Sequence, residues 1–122
     1  MESLNKWLFT VMLGVGSLGA MGGLTYAADM GSLTILSPKD GSMVQAGMAT
    51  KLTYNVKLSP EGNHLHVYVD DQKPIIDRDV TGCPCIVELP ALMAGKHTIV
   101  VKEARADHSL TDLQASTIVT AK

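Results

Sequence analysis

Aromatic side chains make up only 4% of the 122 residues, and the single tryptophan, Trp7, lies near the N-terminus. That scarcity argues against a stacked aromatic platform of the kind that binds sugars. Basic residues occur singly, and 10 Lys plus Arg stand against 12 Asp plus Glu for a formal net charge of −2. No electrostatic footprint for nucleic acid is present. Cysteine is limited to Cys83 and Cys85, separated by one proline. That spacing matches neither the C-x-x-C of zinc sites and redox helices nor the C-x-x-C-H of covalent haem attachment. Serine elbows, phosphate loops and helical metalloprotease motifs are also missing. Asp70, Asp71, Asp77 and Asp79 cluster in sequence, but Lys73 and Arg78 interleave with them and no glycine-spaced calcium loop is formed. A solvated turn accounts for them. No catalytic or cofactor-binding residue is assigned, and an enzyme is not expected.

What is present begins with an address. Met1 to Trp7 is polar and contains Lys6, Leu8 to Leu24 is apolar, and Thr25-Tyr26-Ala27 supplies small residues at −3 and −1 of a cut after Ala27. A charged start, an apolar core and a small-residue exit are what signal peptidase reads. The apolar run is nearly as long as the roughly 20 residues that span a bilayer. Retention as an anchor is therefore the alternative, and the glycines at 14, 16, 19, 22 and 23 favour cleavage. The expectation is a signal peptide over 1–27, a periplasmic or secreted product over 28–122, and no membrane attachment after processing.

The remainder is long enough for one domain and reads as strands. Ser32 to Leu36 is a short apolar strand stopped by Ser37-Pro38-Lys39-Asp40-Gly41. In Ala49 to Leu58, Leu52, Tyr54, Val56 and Leu58 alternate with Lys51, Thr53, Asn55 and Lys57, the period of a half-buried antiparallel strand. His64 to Asp70 follows a Ser59–Asn63 turn and places Leu65, Val67 and Val69 on the buried side. Pro74 to Ile76 suits an edge, where proline's missing N–H does no harm. Cys85 to Leu89, Lys96 to Glu103 and Leu113 to Thr120 complete six or seven short strands, with no capped helical period in 28–122. Their number and turn spacing predict an all-β, antiparallel sandwich.

Three segments carry a family resemblance: S-P-K-D-G at 37–41, L-H-V-Y-V-D-D at 65–71, and L-M-A-G-K-H-T-I-V-V at 92–101, with Asp107 in the next turn. The chain resembles the bacterial immunoglobulin-like domains over nearly all of 28–122. The resemblance implies an immunoglobulin-like or fibronectin-type sandwich of about seven strands. It implies little about activity, because such domains serve as spacers, adhesins, subunits and ligand binders. It also places His97 where such sandwiches often carry a corner residue tying a loop to the strand backbone, a structural role.

Two constellations remain. His64 and His66 stand at i and i+2 of one strand, so their side chains leave the same face about 6.5–7 Å apart, a spacing from which two imidazoles can hold one metal ion. Tyr68 and Asp70 continue that face, which reads equally as the solvent side of the strand. Cys83 and Cys85 enter an oxidising compartment under this address, so a local disulfide is expected first. Pairing between chains, or thiols that hold a soft ion such as Cu(I), are the alternatives. His108, in an Asp-His-Ser turn, is an exposed loop histidine by default or a distant ligand. Met30, Met43, Met48 and Met93 are scattered without a Met-x-Met spacing. The leading reading is a non-catalytic exported interaction module whose partner is another exported or envelope protein. The alternative is a copper- or zinc-binding protein using His64, His66, Cys83 and Cys85.

Overall fold

A computed structural model describes residues 30–122. The signal peptide over 1–27, the cut after Ala27 and the first two residues of the 28–122 domain lie outside the described residues. Eight strands follow one another: β1 (Ser32–Ser37), β2 (Met43–Val44), β3 (Thr50–Lys57), β4 (His64–Val69), β5 (Ile75–Asp77), β6 (Cys85–Leu89), β7 (Gly95–Ala104) and β8 (Leu110–Ala121). They form two sheets, β1-β3-β6 and β2-β8-β7-β4-β5.

Alternation in the sequence becomes the core. Leu52 and Tyr54 of β3 and Val87 and Leu89 of β6 project from the first sheet. They meet Leu65, Val67 and Val69 of β4, Ile99 and Val101 of β7, and Val119 of β8. Pairing is antiparallel throughout, apart from β2, which runs parallel to β8 through Met43–Thr120 and Val44–Ala121. That two-residue element is too short to show any period, and sequence alternation does not reveal it. β5 forms the edge beyond β4 and pairs Ile76 with His66, as the proline at its start leads one to expect. The two sheets are also tied by a polar contact: the Tyr54 hydroxyl of β3 donates to the Asp77 carboxylate at the end of β5. Burial and the neighbouring carboxylate raise the Tyr54 pKa well above the usual phenol range, so the donor is retained at any ordinary pH.

The end of the sandwich where β3 leaves, β4 starts and β7 turns into β8 is shaped by one buried carboxylate. Glu103 of β7 is fully buried. It accepts hydrogen bonds from the Ser59 backbone N–H at 2.8 Å, the Ser59 hydroxyl at 2.6 Å and the Thr111 hydroxyl at 2.7 Å. Gly62 passes so close that a Cβ there would collide with the Glu103 side chain. The Ser59–Gly62 turn is therefore pinned against β7, and Asn63 and His64 emerge from it in a fixed direction. On the other side of Glu103 the β7–β8 register slips. Lys102 pairs with Gln114 while Ala104 pairs with Leu110, so Thr111, Asp112 and Leu113 face the single residue Glu103. A bulge of this kind bends and twists a hairpin, and here it precedes the tip that carries His108.

Candidate metal centre

β4 begins at His64, whose Cα pairs with Ala104, and continues through His66, which pairs with Lys102. Leu65, Val67 and Val69 fill the core, so the intervening residues must leave the opposite face of the sheet. That face is not open to solvent here. His64 is 0% exposed and His66 6% exposed, and what covers them is the tip of the β7–β8 hairpin.

The tip is built by local backbone chemistry. The His108 N–H donates to the Arg105 carbonyl at 2.9 Å and the Arg105 N–H to the Ser109 carbonyl at 2.8 Å. His108 itself sits at φ 72°. This is the pattern of a tight turn closed by a left-handed residue, a position usually given to glycine, although histidine is among the side chains enriched there. Asp107 secures the turn by accepting from the Ser109 N–H at 3.0 Å and its hydroxyl at 2.6 Å. The outcome is that the exposed His108 ring folds back over β4.

Three ring nitrogens converge. His64 Nε2 lies 3.1 Å from His66 Nε2 and 3.2 Å from His108 Nδ1, and His66 Nε2 lies 3.3 Å from His108 Nδ1. In a tetrahedral site with metal–imidazole bonds of about 2.0–2.1 Å, neighbouring donors stand about 3.3–3.4 Å apart. The observed triangle needs to open by only a few tenths of an ångström. Among the described residues, these three are the one group of His, Cys, Asp or Glu donors placed to share an ion.

The outer partners set which nitrogens are bare. Arg78 Nη1 donates to Asn63 Oδ1 at 3.2 Å, which identifies that atom as an acceptor. His64 Nδ1, 2.8 Å from the same oxygen, must therefore carry its proton, and Nε2 is left with a lone pair aimed into the cluster. His66 Nδ1 lies 3.3 Å from the Tyr68 hydroxyl, which offers the equivalent support. Hydrogen bonds of this kind fix tautomer and ring orientation in histidine-ligated metal sites. Burial, then the positive charge of Arg78 and the neighbouring imidazoles, hold the His64 pKa below its usual value. Burial, then His108 and Arg78, do the same for His66. Both shifts favour the neutral ring, the form that ligates. With the His66 and His108 nitrogens also unprotonated, one metal ion would satisfy all three lone pairs at once.

The remaining expected site residues lie elsewhere. Cys83 and Cys85 are joined by a disulfide with their Cα atoms 4.3 Å apart, and Cys85 is buried in the first sheet, opposite Tyr54. Neither sulfur belongs to the histidine cluster. His97 stands between the Asp70 carboxylate, 2.7 Å from Nδ1, and the Met93 carbonyl, 2.7 Å from Nε2. It thus fastens the 90–94 loop to the turn after β4. Asp70 leaves the His64–Tyr68 face at φ 55° to reach it.

Comparison with known proteins agrees with the topology. A fibronectin(III)-like module of Clostridium thermocellum CbhA superposes with a TM-score of 0.59 over 74% of this chain and 96% of that one, at 21% identity. The domain is an immunoglobulin-like, fibronectin-type β-sandwich. Two structures of superoxide reductase (neelaredoxin) from Ignicoccus hospitalis, each a single-substitution form of that protein, are also similar. Their TM-scores are 0.46 and 0.45, their identities 14% and 13%, and they cover 84% and 80% of this chain and 90% and 85% of their own. No protein-family model and no curated protein matches the sequence. Sequence alone pointed to His64 and His66 as a pair and left His108 as a loop residue or distant ligand. His108 lies 42 residues from His66, and only the hairpin geometry brings it in.

Proposed function

We propose that this immunoglobulin-like domain is an exported metal-binding module that holds one copper or zinc ion on His64, His66 and His108. The convergence of three imidazole nitrogens within 3.3 Å of one another carries the reading. Nitrogen donors of this type suit zinc and copper, and the Irving–Williams order favours Cu(II) among the divalent ions. Export rests on the charged, apolar and small-residue order of 1–27. Nothing in the site requires Cys83 or Cys85, which are bonded to each other.

Titration of the chelator-treated protein with Zn(II) and Cu(II), followed by calorimetry, tests the reading. One equivalent should bind, and a His64→Ala, His66→Ala double variant should lose that binding. Equal affinity in the double variant would remove the centre from consideration. A second reading, an interaction module for another envelope protein, is favoured by Ile86, which is 62% exposed on the edge strand β6 and suits strand-edge recognition. Retention of a co-purifying partner by wild type but not by Ile86→Lys would support it, and a strictly monomeric, partnerless protein would count against it.

A further inference from the structure

We infer that the ion on the three histidines is exchangeable cargo, taken by an acceptor that brings carboxylate or imidazole donors, and that His108 is the ligand released first. The inference rests on the metal-binding reading above and names what that centre does with its ion. The three ligands are held unequally. His64 and His66 belong to β4, which lies between β5 and β7, and both are buried. Each also has an outer partner on its far nitrogen: Asn63 Oδ1 is 2.8 Å from His64 Nδ1, and the Tyr68 hydroxyl is 3.3 Å from His66 Nδ1. The His108 ring has none. Its hydrogen-bonding neighbours among the described residues are His64 and His66 alone, both on Nδ1, and the residue is exposed on the hairpin tip between β7 and β8. An outer partner is worth about 10–100-fold in metal affinity, so the bond to His108 is the weakest of the three.

The same face of the sheet admits an acceptor. Ile76 pairs with His66, shares its face because paired residues of neighbouring strands point the same way, and is 41% exposed. It belongs to β5, the edge of the sheet, so no strand among the described residues covers that flank. Charge favours the exchange. Imidazole ligands are uncharged and leave the ion's charge unneutralised, whereas an incoming carboxylate offsets it. Structural sites are closed by a full set of four ligands. Here the chain places three donors among the described residues, two on a strand and one on a hairpin tip. In the exchange, one metal–nitrogen bond to His108 breaks as one bond to an acceptor oxygen or nitrogen forms, with no change of oxidation state. His64 and His66 keep their hold until the acceptor's further donors replace them.

The test uses the purified protein loaded with one equivalent of Zn(II) and titrated with nitrilotriacetate, a small chelator bearing carboxylates. Imidazole proton resonances are followed by nuclear magnetic resonance, with the His108 signals identified by their loss in His108→Asn. At intermediate chelator, the His108 ring is expected to return to its metal-free shift while His64 and His66 stay at their metal-bound shifts. With Cu(II) as the ion, the transfer rate, read from the change in copper absorption on rapid mixing, is expected to rise in proportion to nitrilotriacetate concentration. Three rings that return together, or a first return by His64 or His66, would overturn the role of His108. A transfer rate independent of chelator concentration would show the ion leaving before the acceptor arrives, and would overturn direct exchange while leaving the metal centre standing. Failure of wild type to bind either ion would remove the centre and this inference together.

Discussion

His97 and Glu103 show how single polar side chains hold the loops that present the site. Both partners of His97 are acceptors, the Asp70 carboxylate and the Met93 carbonyl, so both contacts are hydrogen bonds only when the ring is an imidazolium. The hydrogen bonds to Asp70 and then Met93 accordingly raise its pKa. A base whose folded pKa lies above the unfolded value stabilises the fold fully below the unfolded value of about 6.5, and that stabilisation is lost as pH rises through the folded pKa. Metal-free wild type should exceed His97→Ala in urea-unfolding free energy by about 1 kcal/mol near pH 5.5, with the gap narrowing on the alkaline side. A gap that widens with pH would refute the imidazolium. Glu103→Gln replaces one oxygen of a carboxylate that accepts three hydrogen bonds with a donor facing donors. A loss of about 1–3 kcal/mol is expected, read from the denaturation midpoint. Of these roles, only that of His97 was suggested by sequence, through its place in a family pattern. Glu103 sits at a core-facing position of an alternating strand, and nothing local tells that its hydrogen bonds come from residues 59 and 111.

Strand β4 was readable because one face of it is uniformly apolar, and the i, i+2 spacing of His64 and His66 follows from the same period. Whether their shared face meets water depends on a hairpin tip 42 residues away and on a bulge opposite Glu103, neither of which alternation encodes. The default reading of His108 as an exposed loop residue was right about its exposure and silent about its direction. That separation of turn and ligand roles can be measured. Asparagine tolerates the left-handed conformation of residue 108 but offers no imidazole. His108→Asn should leave the metal-free protein as stable as wild type, within about 0.5 kcal/mol. It should also weaken Zn(II) binding by about 100-fold or more, since even outer partners of metal ligands are worth about 10–100-fold. A variant that binds Zn(II) like wild type would leave a two-histidine site and exclude His108 from it.

At the scale of the whole domain, the sandwich places its core and its candidate centre on opposite faces of one sheet, so the two can be perturbed independently. Tyr54→Phe cuts the hydroxyl that spans from β3 to Asp77 at the end of β5 and leaves the carboxylate short of a donor. A cost of about 1–2 kcal/mol in stability with unchanged metal stoichiometry is expected. Metal works in the other direction. An ion on His64, His66 and His108 joins the start of β4 to the β7–β8 tip only in the folded chain, so binding must stabilise the fold by mass action. At a free concentration about 100 times the dissociation constant the gain is about 2.7 kcal/mol, and each 1 kcal/mol moves the midpoint of a domain this small by about 4–8 °C. A rise of roughly 10–20 °C on adding Zn(II), reversed by chelator and absent in the His64→Ala, His66→Ala variant, is therefore expected in calorimetry. The disulfide supplies a control, because reduction of Cys83–Cys85 in the other sheet should lower both midpoints while leaving their difference intact. A metal-dependent rise that vanished on reduction would instead tie the sulfurs to the ion.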